Sequence, residues 1–81
     1  MKLLKLYKPS CSPCKEVENY LKDNHVEYTD INVFEDMDTA IKYGVMSAPV
    51  TILLNNEGEE VARVNGYNPP ALEELINRMS E

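Results

Sequence analysis

Cysteines, phenylalanine, tryptophan and basic residues are all scarce in this sequence. Two cysteines among 81 residues are too few for the disulfide networks that stabilise small secreted domains. Fourteen acidic residues outnumber eight basic ones and give a formal net charge of −6, while the chain contains one phenylalanine and no tryptophan. Because an acidic chain repels phosphate groups, a nucleic-acid partner is not expected.

Long hydrophobic runs are absent as well. The apolar stretches are only a few residues long, whereas a helix needs ~20 apolar residues to cross a membrane. Lys5 interrupts the apolar start of the chain, which is therefore unlike a secretory signal. We expect a cytoplasmic protein without a membrane partner. Since 81 residues are about half of the ~150-residue prior for a domain, we expect one domain over residues 1–81. We also expect a monomer.

The hydrophobic pattern and its interruptions predict seven elements in the order β-α-β-α-β-β-α. The predicted strands cover residues 3–7, 26–33, 50–54 and 61–64. The predicted helices run from 13 to 24, from 36 or 38 to 43, and from 69 to 79, each near a proline or a capping residue. The first β-α-β unit requires a parallel strand pair, and the last two strands form an antiparallel hairpin. This order predicts an α/β fold with a mixed four-stranded sheet and helices on both faces.

The two cysteines are close neighbours in the segment Cys11-Ser12-Pro13-Cys14. A disulfide between them would close a very small ring and stabilise the fold little, so reactivity explains the pair better than structure does. Cys11 follows the first strand and precedes the helix that Pro13 opens, where free backbone N–H groups and the helix dipole stabilise a thiolate. Lys8 and Lys15 add positive charge nearby. We therefore expect a lowered pKa for the Cys11 thiol.

Cys14 lies one helical turn later, on an apolar stripe with Val17 and Leu21, and it should be shielded. This asymmetry suits a two-step exchange, in which Cys11 attacks a substrate disulfide and Cys14 then attacks Cys11 and releases the reduced substrate. An incidental cysteine pair is the alternative. A metal site is not expected, because four ligands are usual and the chain offers two cysteines and one histidine.

The motif Cys11-Ser12-Pro13-Cys14-Lys15 resembles the thioredoxin active site, Cys-Gly-Pro-Cys-Lys, with Ser12 in place of glycine. Residues 42–49, Lys-Tyr-Gly-Val-Met-Ser-Ala-Pro, resemble the thioredoxin stretch Lys-Tyr-Gly-Ile-Arg-Gly-Ile-Pro. On these motifs the chain is identified as a member of the thioredoxin superfamily over nearly its whole length. The resemblance implies the thioredoxin fold and an enzyme that reduces protein disulfides, with no bound cofactor besides a redox-active Cys11–Cys14 disulfide.

The short length and the approach to Cys11, Tyr7-Lys8-Pro9-Ser10, are more similar to glutaredoxins and to the small glutaredoxin-like electron donors of ribonucleotide reductase. A glutathione-dependent glutaredoxin, a ribonucleotide reductase electron donor, an iron–sulfur cluster carrier and a redox-sensing module without turnover stay open as alternatives. Glutaredoxins bind glutathione partly through acidic residues after the last strand, whereas Gly66-Tyr67-Asn68-Pro69 carries no carboxylate. We therefore expect thioredoxin reductase rather than glutathione as the electron donor.

The resemblance also implies a substrate-binding surface. Pro49 is similar in position to the cis-proline of the family, and Gly66 to its glycine after the last strand. A cis Ala48–Pro49 bond would turn the backbone of Ala48 outward, where its N–H and C=O could pair with an extended substrate. Tyr67 is expected to cover the site. The alternatives are an ordinary trans proline, a turn glycine and a surface tyrosine.

Lys5 is the least expected residue of the first strand. Its position resembles that of the buried thioredoxin aspartate that assists proton transfer to the second cysteine, and Asp30 resembles the lysine partner of that aspartate in position. The resemblance thus implies the same pair with exchanged charges, in which Lys5 assists the deprotonation of Cys14. The alternative is that the Lys5 side chain reaches solvent along the sheet.

Overall fold

The computed structural model describes residues 1–80, in which the elements follow the predicted order. The strands are β1 (Lys2–Tyr7), β2 (Thr29–Asn32), β3 (Val50–Leu54) and β4 (Glu60–Asn65). The helices are α1 (Ser12–Asp23), α2 (Met37–Lys42) and α3 (Pro69–Met79). None of these helices is both long enough and apolar enough to cross a membrane.

The four strands form one sheet in the order β2-β1-β3-β4. Strands β1 and β2 run parallel, as the β-α-β unit requires, while β3 lies antiparallel to both β1 and β4. The prediction of a mixed four-stranded sheet is therefore confirmed.

Alternate residues of the strands supply two apolar clusters, one on each face of the sheet. The α1/α3 cluster consists of Leu3, Val17, Leu21, Leu53, Val64, Leu72 and Leu75. The α2 cluster consists of Leu4, Leu6, Ala40, Val50, Ile52 and Leu54. The prediction of helices on both faces is confirmed. Cys14 is buried as well, but neither of these two clusters contains it.

Strand β2 is shorter than the sequence predicted. The prediction covered residues 26–33, but only Thr29–Asn32 pair with β1. Val26 and Tyr28 instead pack against the α1/α3 cluster from the connection that leads into β2. These apolar side chains are partly buried in a loop. A short hydrophobic run looks the same in the sequence whether it is a packed loop or a paired strand.

Helix α1 returns the chain from the end of β1 toward the start of β2. Pro13 lies in its first turn, where a missing N–H group costs nothing. The helix ends at Asp23, and His25 takes a left-handed conformation with φ +56°. The N–H groups of His25 and Val26 donate to the carbonyls of Lys22 and Leu21. These two bonds satisfy carbonyls at the C-terminal end of α1.

Candidate active site

Cys11 lies at the junction of β1 and α1, where it caps the helix. Its backbone is extended, with φ −117° and ψ 107°, and its Sγ accepts a hydrogen bond from the Cys14 N–H at 3.2 Å. Its carbonyl accepts a second bond, from the Lys15 N–H at 3.2 Å. The Cys11 sulfur therefore accepts a hydrogen bond from one of the N–H groups at the start of α1, at the positive end of the helix dipole. The lowered pKa of this thiol stays a prediction.

Cys11 and Cys14 form a disulfide, and their Cα atoms lie 5.2 Å apart. Cys11 is partly exposed, whereas Cys14 is buried beneath the first turn of α1. A substrate can therefore approach Cys11 from solvent, whereas it cannot contact the buried Cys14 directly. Pro13 and Ser12, between the two cysteines, are exposed.

A pocket of about 550 Å³ opens beside the disulfide. Both cysteines line it, and its other lining residues are Lys5, Tyr7, Lys8, Pro9, Ser10, Ser12, Lys15, Glu18 and Asp30. Lysine ammonium groups and carboxylates thus share one pocket with the redox-active residues. Within residues 1–80, no group of three or more histidine, cysteine, aspartate or glutamate residues is placed to hold a metal ion.

Lys5 is buried on the sheet face that α1 covers, and its Nζ lies 2.9 Å from Asp30 Oδ1. The two residues are directly opposite each other in the register of β1 and β2. The ammonium group also contacts two aromatic faces, 5.0 Å from the ring centroid of Tyr7 and 5.3 Å from that of Tyr28. Lys5 therefore pairs with Asp30, and its side chain, which is 4% exposed, does not extend along the sheet to solvent.

Glu18 is a residue of this pocket that the sequence reasoning missed. Its carboxylate pairs with Lys15 at 2.9 Å and with Lys22 at 3.2 Å. Hydrogen bonds from Lys15 and Lys22, with a smaller effect of the Lys5 charge, lower the pKa of Glu18 to about 2. The helical spacing of these residues was an available signal, because side chains three and four positions apart are neighbours. Since Glu18 pairs with Lys15, part of the positive charge expected near Cys11 is neutralised.

The loop before β3 and the loop after β4 meet at Pro49. The Ala48–Pro49 peptide bond is cis, and the Pro49 carbonyl accepts a hydrogen bond from the Gly66 N–H at 2.8 Å. Gly66 has φ +73°, a left-handed conformation that favours glycine. The ring of Tyr67 packs edge-on against Tyr20 of α1, with centroids 6.5 Å apart. The structure therefore joins the loop of Pro49 to the loop of Gly66 and Tyr67.

An apolar groove of about 370 Å³ runs along α2 and was also missed by the sequence reasoning. It is lined by Lys8, Val33, Phe34, Met37, Ala40, Ile41, Val45, Met46, Ser47 and Ala48. Phe34, Met37, Ile41 and Met46 are strongly exposed, from 62% for Met37 to 98% for Met46. Because Lys8 lines both this groove and the pocket beside the disulfide, the two cavities are adjacent.

Comparisons with known proteins agree with this geometry. The Thioredoxin family model matches residues 1–80. The SPbeta prophage-derived thioredoxin-like protein YosR of Bacillus subtilis is 43% identical over 79 residues, which cover 98% of this chain and 99% of that protein. Thioredoxin from the same organism is 40% identical over 83 residues, covering 94% and 79%. A mutant thioredoxin from Halobacterium salinarum has a similar structure, with a TM-score of 0.83 and 30% identity over 98% of this chain and 74% of that one.

Proposed function

The chain belongs to the thioredoxin family and is a protein thiol–disulfide oxidoreductase, and on that premise we propose that it reduces protein disulfides by dithiol exchange. The observation that carries this proposal is the Cys11–Cys14 disulfide at the start of α1, with Cys11 accessible and Cys14 buried. An incidental cysteine pair would not require this arrangement.

The exchange has two balanced steps. The Cys11 thiolate attacks one sulfur of the substrate disulfide, and the other substrate sulfur leaves as a thiolate and takes up a proton. Cys14 then loses its proton and attacks Cys11, so that the Cys11–Cys14 bond forms and the bond from Cys11 to the substrate breaks. The second substrate sulfur leaves and is protonated. Two electrons have passed from the dithiol to the substrate, and a donor must then restore the dithiol.

The test of this function is the reduction of insulin disulfides with dithiothreitol as the electron source. We expect the wild-type chain to accelerate the reaction and Cys11→Ser to abolish the acceleration, because the attacking sulfur is removed. Without dithiothreitol, which would cleave the adduct, pre-reduced Cys14→Ser should accumulate a mixed disulfide between Cys11 and the substrate, since the resolving sulfur is missing. Full activity of Cys11→Ser, or no mixed adduct in Cys14→Ser, would contradict the mechanism.

We propose that the electron donor is a thioredoxin reductase rather than glutathione. After β4 the chain continues through Gly66, Tyr67 and Asn68, none of which offers a carboxylate to the glutathione amino group. The Asn68 side chain is already engaged as the cap of α3, where it accepts a bond from the Ala71 N–H at 3.3 Å. Regeneration of the dithiol by NADPH with thioredoxin reductase should therefore be faster than by glutathione with its own reductase. Rapid regeneration by glutathione alone would overturn this choice.

The cellular setting follows from the same chemistry. A dithiol that is kept reduced by an NADPH-dependent enzyme suits the cytoplasm, where thiols are held in the reduced state.

The disulfide of ribonucleotide reductase is the first protein substrate to test, because the approach to Cys11 resembles that of the small electron donors for this enzyme. Gel filtration at working concentration tests the expected monomer.

We propose that Lys5 supports the second step as a fixed positive charge near Cys14. Both residues line the same pocket, and Asp30, Tyr7 and Tyr28 hold the ammonium group in place. A nearby cation favours a thiolate, so it assists the deprotonation of Cys14. Because the Asp30 carboxylate offsets part of the Lys5 charge, Lys5→Met should shift the pH dependence of the resolving step upward by about one pH unit, the smaller end of such charge effects. An unchanged profile would remove this role.

We propose that the substrate protein binds across Ala48, Pro49, Gly66 and Tyr67. The substrate segment that flanks the substrate's own disulfide then lies in the apolar groove along α2. Lys8 lines both that groove and the pocket at Cys11, and this adjacency supports the placement. Ile41→Ser should raise the KM for insulin several-fold while leaving the rate of Cys11 alkylation unchanged. Asp38→Ser, an exposed polar position on the same helix, is the matched control and should leave the KM unchanged.

A further inference from the structure

A buried hydroxyl group lies next to Lys5 in the sheet and takes no part in the dithiol exchange. Thr51 of β3 is fully buried, and its Oγ1 has no hydrogen-bond partner within residues 1–80. Burying a hydroxyl without a partner is unfavourable, and native proteins leave few such groups. Valine has nearly the same shape without that cost. The threonine at this position therefore calls for an explanation in another state of the protein.

Thr51 belongs to a row of polar residues that crosses the sheet beneath α1. It is directly opposite Lys5 in the register of β1 and β3, and Lys5 is directly opposite Asp30 in that of β1 and β2. Residues paired in this way point to the same face of a sheet. Thr51, Lys5 and Asp30 therefore share the face that α1 covers.

The position of the row along the strands puts it at the end of the sheet where α1 begins. The neighbouring pair on the same face, Leu3 and Leu53, packs with Val17 and Leu21 from the later turns of α1. Lys5 is two residues closer to the end of β1, and it lines a pocket together with Cys14. Cys14 is buried outside both apolar clusters, and it shares its pocket with Lys5 and Asp30, two of the three residues of this row.

We propose that the Thr51 hydroxyl donates a hydrogen bond to the Cys14 sulfur when the disulfide is reduced. In the disulfide, that sulfur is a weak acceptor and the hydroxyl has no partner. Uptake of two electrons opens the Cys11–Cys14 bond, and a Cys14 thiolate is then a charged acceptor in a buried place. Lys5 supplies charge, and Thr51 supplies a directed donor. This inference rests on the proposed dithiol exchange.

A hydrogen bond present only in the reduced form shifts the thiol–disulfide equilibrium toward the dithiol. Thr51→Val removes that bond from the reduced form, and it also removes the unpartnered hydroxyl from the disulfide form. Both changes favour the disulfide, so the variant should be the stronger reductant. If the hydroxyl had no partner in either form, valine would affect the two forms equally and the equilibrium would not change.

The experiment is equilibration of the intact protein with a glutathione redox buffer, followed by alkylation and mass measurement of the dithiol and disulfide forms. We expect Thr51→Val to shift the equilibrium constant about five- to tenfold toward the disulfide, or roughly 20–30 mV to more negative potential. Thr51→Ser keeps the hydroxyl and should stay within about twofold of wild type. Ile52→Val removes a methyl group from the other face of β3 and is the matched control, with no shift expected.

A second readout is the thiolate absorbance of Cys14 during a pH titration in the Cys11→Ser background. Thr51→Val should raise the pKa of the Cys14 thiol, whereas Thr51→Ser should not. The titratable groups that share the pocket with Cys14 stay the same in every variant: Lys5, Tyr7, Lys8, Lys15, Glu18 and Asp30. If the valine variant did not fold, Thr51→Ala compared with Thr51→Ser would make the same test.

Two outcomes would overturn the inference: an equilibrium constant in Thr51→Val equal to that of wild type, or an equal shift in Thr51→Ser. The redox-buffer measurement needs neither a protein substrate nor a reductase. A failure here is therefore distinguishable from a failure of the proposed function, which insulin reduction tests separately.

Discussion

The ion pair between Lys5 and Asp30 predicts unequal costs for removing its two halves. The Lys5 side chain is 4% exposed, whereas the Asp30 side chain is 44% exposed. Asp30→Asn therefore leaves a buried ammonium group without its carboxylate, while Lys5→Met leaves a carboxylate that water can hydrate. Removing one partner of a fully buried pair costs about 3–5 kcal/mol, most of it from the buried charge that stays unpaired.

The losses in free energy of unfolding that we expect for Asp30→Asn and Lys5→Met are both smaller than this range. After Asp30→Asn, the rings of Tyr7 and Tyr28 still contact the ammonium group, each contributing about 0.5–2 kcal/mol. We therefore expect Asp30→Asn to lower the free energy of unfolding by about 2 kcal/mol. Lys5→Met keeps a side chain of similar shape and should cost less than about 1 kcal/mol. The double variant should resemble Lys5→Met, because without the ammonium the Asp30 substitution loses its effect.

Urea unfolding of the disulfide form at pH 7, followed by circular dichroism, measures these three free energies. Lys22→Met, which removes the exposed partner of another ion pair, is the control and should change stability by less than about 1 kcal/mol. The reasoning is refuted if Lys5→Met costs as much as Asp30→Asn, since exposure would then not decide which charge is expensive to leave. Additive effects in the double variant would refute it as well.

Three further predictions concern stability. The pKa of Glu18 lies at about 2, below its ordinary 4.5, so its ion pairs stabilise the fold above pH 4.5 and the effect is lost as the pH falls toward 2. Glu18→Gln should therefore lower stability at pH 7 by up to about 1 kcal/mol, and the difference from wild type should shrink in acid; a difference independent of pH would contradict this. Leu53→Ala, in the α1/α3 cluster, should cost about 2–5 kcal/mol in urea unfolding, and a loss below that range would contradict its central position. Asn68→Ala removes the cap of α3 and should cost about 1 kcal/mol, whereas Asn68→Asp keeps an acceptor and should cost little; equal losses would exclude capping as the cause.

The sequence predicted the order of the elements and the place of the redox-active pair because both depend on local interactions. A helix start is decided within one turn, by a cap such as Cys11 and a proline such as Pro13. The parallel pairing of β1 and β2 followed from the β-α-β order, which allows few other topologies. These signals act between residues a few positions apart, and they can be read without knowing what else packs nearby.

The environment of the site needed contacts between distant segments. Lys5 carries the same side chain whether it reaches solvent or pairs with Asp30, and the register of β1 and β2 selects the pair. The same holds for Thr51, whose burial beside Lys5 arises from the register of β1 and β3. Val26 and Tyr28 pack against the α1/α3 cluster without pairing in the sheet, so their apolar side chains do not indicate a strand. Burial and charge pairing are properties of neighbours that packing brings together, and no short stretch of the chain contains those neighbours.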